Sequence, residues 1–62
     1  MTSNDKIKGW LVSHRVTQGE FAQAIDVPYE CVRNRLKGLT EWRLDEIKRV
    51  LAFTGETFED LF

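Results

Sequence analysis

With 62 residues, 9 basic and 10 acidic side chains and a formal net charge of −1, the chain is expected to form one small domain over residues 1–62. A chain this short buries only about 60% of the surface it exposes when unfolded. One cysteine, Cys31, and one histidine, His14, exclude an internal disulfide and a four-ligand structural zinc site. No run approaches the roughly 18 apolar residues of a membrane span and no signal-peptide run opens the chain, so a soluble cytoplasmic protein with no membrane partner and no cofactor is expected.

The predicted elements are all helical. Met1-Thr2-Ser3 is expected to fray, with Ser3 or Asn4 capping a first helix that runs to about Ser13. Ile7, Trp10, Leu11 and His14 share one face of it, and Trp10 reads as core. Gly9 costs about 1 kcal/mol there relative to alanine, which suggests close approach of a neighbouring helix. Val16 plugs the core from the connection, and Thr17 caps a second helix, Gln18 to Ile25, whose apolar side carries Phe21, Ala22 and Ile25. Asp26 occupies a left-handed turn position where glycine would cost less, and Val27 is buried. Pro28 suits the first turn of a third helix to about Lys37, with Val32 and Leu36 inward and Gly38 as its left-handed cap. A fourth helix, about Leu44 to Phe53, places Leu44, Ile47, Val50 and Leu51 for burial and stops at Thr54-Gly55. Thr57-Phe58-Glu59-Asp60 then resembles a capping box that opens a last turn. The core is expected to hold Phe21, Ile25, Val32, Leu36, Leu44, Ile47 and Val50.

Two short helices joined by a tight turn, Thr17 to about Lys37, have the form of a helix-turn-helix. The outer side of the second carries Glu30, Arg33, Asn34 and Arg35, residue types that suit base edges and phosphates. The charge is also uneven along the chain. Residues 31–43 carry Arg33, Arg35, Lys37 and Arg43 against Glu41, a balance of +3, whereas residues 44–62 carry Lys48 and Arg49 against Asp45, Glu46, Glu56, Glu59 and Asp60, a balance of −3. A basic end facing phosphates and an acidic end facing away are expected, with a weak long-range field.

Thr17-Gln18, Phe21-Ala22, Asp26-Val27, Val32, Lys37-Gly38 and Thr57-Phe58-Glu59-Asp60-Leu61 stand at the spacing of a family pattern. The sequence resembles the lambda-repressor-like, Cro-type helix-turn-helix proteins of bacteria and their phages, over nearly the whole chain. It departs from them at Asp26, where the family has a turn glycine, at Pro28, where Ser or Thr opens the recognition helix, and at Arg35, where an apolar residue is common. Arg35 is either a snorkelling side chain or an extra phosphate contact.

The resemblance implies a compact, all-α five-helix lambda-repressor-like domain whose third helix lies in the major groove. Tyr29, Glu30, Arg33 and Asn34 would then read bases: Arg33 suits guanine, Asn34 adenine, and Glu30 accepts from cytosine. Tyr29 would meet a thymine methyl or a phosphate. Gln18 matches the family position that touches the DNA backbone, and Arg35, Lys37, Arg43 and Arg15 are phosphate candidates. The bland alternative for each is a solvated surface side chain, with Glu30 spaced to pair with Arg33 or Asn34. Trp42 packs over its loop, stacks on sugar-phosphate or joins a dimer contact, packing being favoured. His14 and Cys31 lack the third residue and oxyanion device of a catalytic site, so no enzyme activity is expected.

The implied function is a sequence-specific transcriptional regulator, a Cro-type phage or prophage repressor that occupies a double-stranded DNA operator. It would act in the cytoplasm of a bacterium or phage-infected cell, without a separate dimerisation or effector domain. Two copies would be needed, as a homodimer formed before or on the DNA, with one or two of Phe53, Phe58, Leu61 and Phe62 at a symmetric contact. The rival reading is a helix-turn-helix modulator, an anti-repressor that binds a partner repressor protein. It is motivated by the weak net charge, the acidic C-terminal half, Asp26 and Pro28.

Overall fold

The computed structural model describes residues 3–62, with side chains from Asn4 onward. The expected fraying of Met1 and Thr2 lies outside those residues, while Ser3 is already helical. Five helices and no strand form among the described residues: α1 (Ser3–Ser13), α2 (Gln18–Ala24), α3 (Tyr29–Leu36), α4 (Leu44–Thr54) and α5 (Phe58–Leu61). They pack into a body 23 × 22 × 20 Å across, with α2 against α3 and α1 against both α3 and α5. None of these helices is long and apolar enough to cross a membrane.

Local chemistry sets most of the boundaries. Thr17 Oγ1 accepts the Glu20 N–H at 3.1 Å and the Glu20 carboxylate accepts the Thr17 N–H at 3.0 Å, so two orphan donors at the start of α2 are satisfied reciprocally. The backbone N–H of Thr17 and then its side chain hold the Glu20 carboxyl below its ordinary value. Thr57 Oγ1 caps α5 by accepting the Asp60 N–H at 3.3 Å. Pro28 stands at the cap position of α3, one residue before the first turn expected for it.

The first three helices all end with a left-handed residue followed by an apolar one. The Val16, Val27 and Leu39 N–H groups reach back to the Leu11, Ala22 and Asn34 carbonyls at 2.9, 3.1 and 2.9 Å. Arg15 (φ 57°), Asp26 (φ 58°) and Gly38 (φ 81°) make the reversals. This double-bonded exit satisfies the final carbonyls of each helix and explains connections of only a few residues. At Arg15 and Asp26 it is made without glycine, against a left-handed cost of roughly 1–2 kcal/mol for an ordinary residue.

The core draws on every helix: Ile7 and Leu11, then Phe21, Ala22 and Ile25, then Val27, Val32 and Leu36, then Val50 and Leu61. Trp10, Val16, Trp42 and Phe62 pack against it half-buried. Trp42 bears out the packing expectation. Its ring meets Phe21 and Phe62 edge-on at 6.4 and 6.3 Å, and its indole N–H donates to Asn4 Oδ1 at 3.1 Å. Asn4 is thus inside α1 and used for a tertiary contact rather than as a cap. His14 stacks on Trp10 at 3.9 Å, exposed rather than buried with its neighbours.

Two expectations are corrected. Leu44 is 68% exposed and Ile47 only half-buried, while Glu46 is 6% exposed and takes the inward place. At about 100° per residue, Leu44 lies about 120° around α4 from the buried Val50, whereas Glu46 lies about 40° from it. Gly9 is exposed, and a Cβ there would meet nothing within 4 Å. It admits no neighbouring helix.

Candidate nucleic-acid interface

The candidate surface begins with the two sides of α3. Val32 and Leu36 are 0% and 2% exposed and lock one side to the core. At about 100° per residue, Tyr29, Arg33, Lys37, Glu30 and Asn34 then sweep an arc of about 140°, from Tyr29 on the flank beside Leu36 round to Asn34 on the far side. Tyr29, Glu30, Asn34 and Lys37 are exposed and Arg33 is half-buried. The Arg33 guanidinium sits 5.8 Å from the Tyr29 ring centroid, a cation–π contact that narrows its rotamer freedom. Donors, acceptors and an aromatic face are therefore brought together on one exposed helix side.

The other predicted residues have different fates. Gln18 is half-buried at the first position of α2, and Arg15 is exposed at the left-handed end of α1, so both lie at the α1–α2 connection. Arg43 is exposed at the cap position of α4, with its Nε 3.7 Å from Asp45 Oδ1. Arg35 turns inward. Its Nε donates to Glu46 Oε1 at 2.6 Å with both side chains about nine-tenths buried, at 13% and 9% exposure. Its Nη1 reaches the Cys31 carbonyl at 3.3 Å and Thr40 Oγ1 at 3.4 Å. Of its two expected uses, the geometry leaves it held within the protein rather than extended to a phosphate.

These pairs weaken, without removing, the expected division into a basic and an acidic end. Two of the four cations in residues 31–43, Arg35 and Arg43, meet carboxylates of α4. Among the described residues, Arg33 and Lys37 are the cations of that segment outside an ion pair. An open groove of about 680 Å³ borders the surface between α2 and the start of α3, and includes Gly19, Gln23, Pro28 and Tyr29. Glu20 and Asp26 also line it, which makes it a poor seat for phosphate.

Sequence reasoning missed the residues of α4 that hold α2 and α3 in place. Glu46 Oε1 accepts from Arg35 and also from the Arg43 N–H at 2.9 Å. Arg43 has no acceptor atom, so only this return half of a capping box exists. One turn further on, Arg49 Nη1 lies 3.5 and 3.4 Å from the Ile25 and Asp26 carbonyls, where a cation suits the negative end of α2. Glu46 at the third position of α4 was a visible capping signal, but its partner lies on another helix. No protein family, curated protein or solved structure matches this chain.

Proposed function

We propose that α2 and α3 act as a helix-turn-helix of the lambda-repressor-like, Cro type, and that the chain is a sequence-specific DNA-binding transcriptional regulator of phage or prophage kind. The observation that carries this reading is the outer arc of α3, where Tyr29, Glu30, Arg33, Asn34 and Lys37 project from a helix anchored by Val32 and Leu36. Arg33, Asn34 and Glu30 would bond base edges in the major groove, with Tyr29 beside them. Lys37, Arg43, Gln18 and Arg15 would meet the backbone, positioning the domain without reading sequence. A body 23 Å in its longest extent is shorter than the roughly 34–36 Å between half-sites, so two copies fit along one duplex face.

Selection from a randomised duplex pool, followed by titration of selected and scrambled duplexes at two salt concentrations, tests the reading. Affinity should fall with salt, and Lys37→Ala should weaken all sequences alike and lower the salt slope by about one. Arg33→Ala should relax one base-pair position, at about 1–3 kcal/mol. Equal losses on both duplexes would move Arg33 from the bases to the backbone. The engagement of Arg35 by the Glu46 carboxylate, which removes one cation from the exposed surface, favours the second reading, a modulator that binds a partner repressor. Absence of salt-dependent duplex binding, together with specific capture of a repressor encoded beside this gene, would establish that reading instead.

A further inference from the structure

We infer that Arg35 and Glu46 are positioning residues that fix the presentation of α3, so that sequence discrimination depends on a pair that touches no DNA. The inference rests on the DNA-binding reading. One carboxylate oxygen, Glu46 Oε1, accepts from Arg35 Nε at 2.6 Å and from the Arg43 N–H at 2.9 Å. The same guanidinium donates to the Cys31 carbonyl one turn back along α3 and approaches Thr40 Oγ1 in the loop beyond it. A single linkage thereby joins the last turn of α3, the α3–α4 loop and the first turn of α4. Lys37 lies between its attachment points and Arg43 at its far end, so the linkage also sets the spacing of two phosphate candidates relative to the base-facing arc.

Its physical advantage over hydrocarbon is direction rather than stability. Replacing a buried ion pair by well-packed apolar side chains of similar volume is often neutral or stabilising. Apolar contacts tolerate sliding and rotation, whereas a guanidinium fork bonding fixed acceptors admits one arrangement. Base-edge hydrogen bonds need their donors placed within tenths of an ångström, while phosphate attraction does not. Loosening α3 should therefore harm discrimination before it harms general affinity.

The test compares the full chain with the R35M/E46M double variant and with R35K, which keeps the charge but not the planar fork. The probes are the selected duplex and a scrambled one at two salt concentrations, with thermal melts and amide hydrogen exchange alongside. The double variant should melt within a few degrees of the wild type, because apolar packing offsets the lost pair while the Arg43 N–H loses its acceptor. Its ratio of selected to scrambled affinity should nevertheless fall by about tenfold or more, the scale of one lost base contact. Its salt slope should not change, and R35K should lie between the two. The Gly38 and Leu39 amides, held by the Arg35 and Asn34 carbonyls at 3.1 and 2.9 Å, should exchange faster at equal global stability. An unchanged affinity ratio would overturn the inference. So would a uniform loss on both duplexes with a salt slope smaller by about one, which would make Arg35 a phosphate contact. Should the wild-type chain bind neither duplex, the DNA-binding reading fails, and amide exchange alone decides whether the pair positions α3: unchanged protection at Gly38 and Leu39 would end that claim too.

Discussion

The outer side of α3 and the inner edge of α4 are built from the same residue types and used in opposite ways. On α3, Glu30 is exposed beside Asn34 and Lys37, with Arg33 resting on Tyr29. On α4, buried Glu46 bonds the Arg35 side chain, and Arg49, itself exposed, lies along the surface with Nη1 at the carbonyls that end α2. Charged side chains on the first surface are available to a partner; those on the second hold the surface in shape. Composition and net charge do not distinguish the two, because the difference lies in what each side chain faces.

The largest effect that separates the regions is on stability. Glu46→Ala leaves the Arg35 guanidinium in a mostly buried place without its carboxylate, and breaking such a pair costs about 3 kcal/mol. In a domain of this size that should lower the melting temperature by about 10 °C or more. Glu30→Ala, the same chemical change on exposed α3, should stay within about 0.5 kcal/mol. Equal melting temperatures for the two variants would erase the distinction between holding and presenting surfaces.

Thr17→Ala comes next. It removes the acceptor for the Glu20 N–H at the start of α2, at a cost of about 1 kcal/mol. Denaturant titration should show the midpoint falling with an unchanged slope, because the same surface is exposed on unfolding. Asp26→Gly should act in the other direction. The φ of 58° at Asp26 suits glycine better, and the gain should be about 0.5 kcal/mol after glycine's larger unfolded-state entropy is allowed for. A loss of stability at that position would mean that Asp26 contributes more through its side chain than its backbone conformation costs.

The helices and their ends were legible in the sequence because their causes are local. Thr17, Gly38 and Gly55 announce caps within a few residues, and the inward places of Phe21, Ile25, Val32 and Leu36 follow from helical period alone. The outer arc of α3, from Tyr29 round to Asn34, followed for the same reason. What escaped was tertiary. Leu44 belongs to the apolar pattern of α4 but sits where the first turn faces outward, and the inward place belongs to Glu46 because Arg35, eleven residues earlier on another helix, neutralises it. Arg49 reaches carbonyls twenty-three and twenty-four residues away. No local pattern encodes such pairings, and they are what turned the expected basic end into a partly neutralised one.

The smallest effect concerns the charge on Glu20, at the start of the helix that α3 packs against. Hydrogen bonds from the Thr17 backbone and side chain hold the Glu20 carboxyl below its ordinary value. A carboxyl whose folded value is depressed binds its proton more readily in the unfolded chain, so its contribution is present above the ordinary glutamate value of about 4.3 and is lost as pH falls through the lower folded value. Glu20→Gln keeps an acceptor for the Thr17 N–H and removes only the charge. The wild-type chain should therefore be slightly more stable than the variant at neutral pH, and the gap should close as the pH is lowered below that range. Because both proteins share every other titrating group, the difference between their denaturant midpoints isolates Glu20. A gap of the same size at neutral and at strongly acidic pH would mean that the carboxylate's charge contributes nothing to the start of α2, leaving the neutral Thr17 hydroxyl as its effective cap.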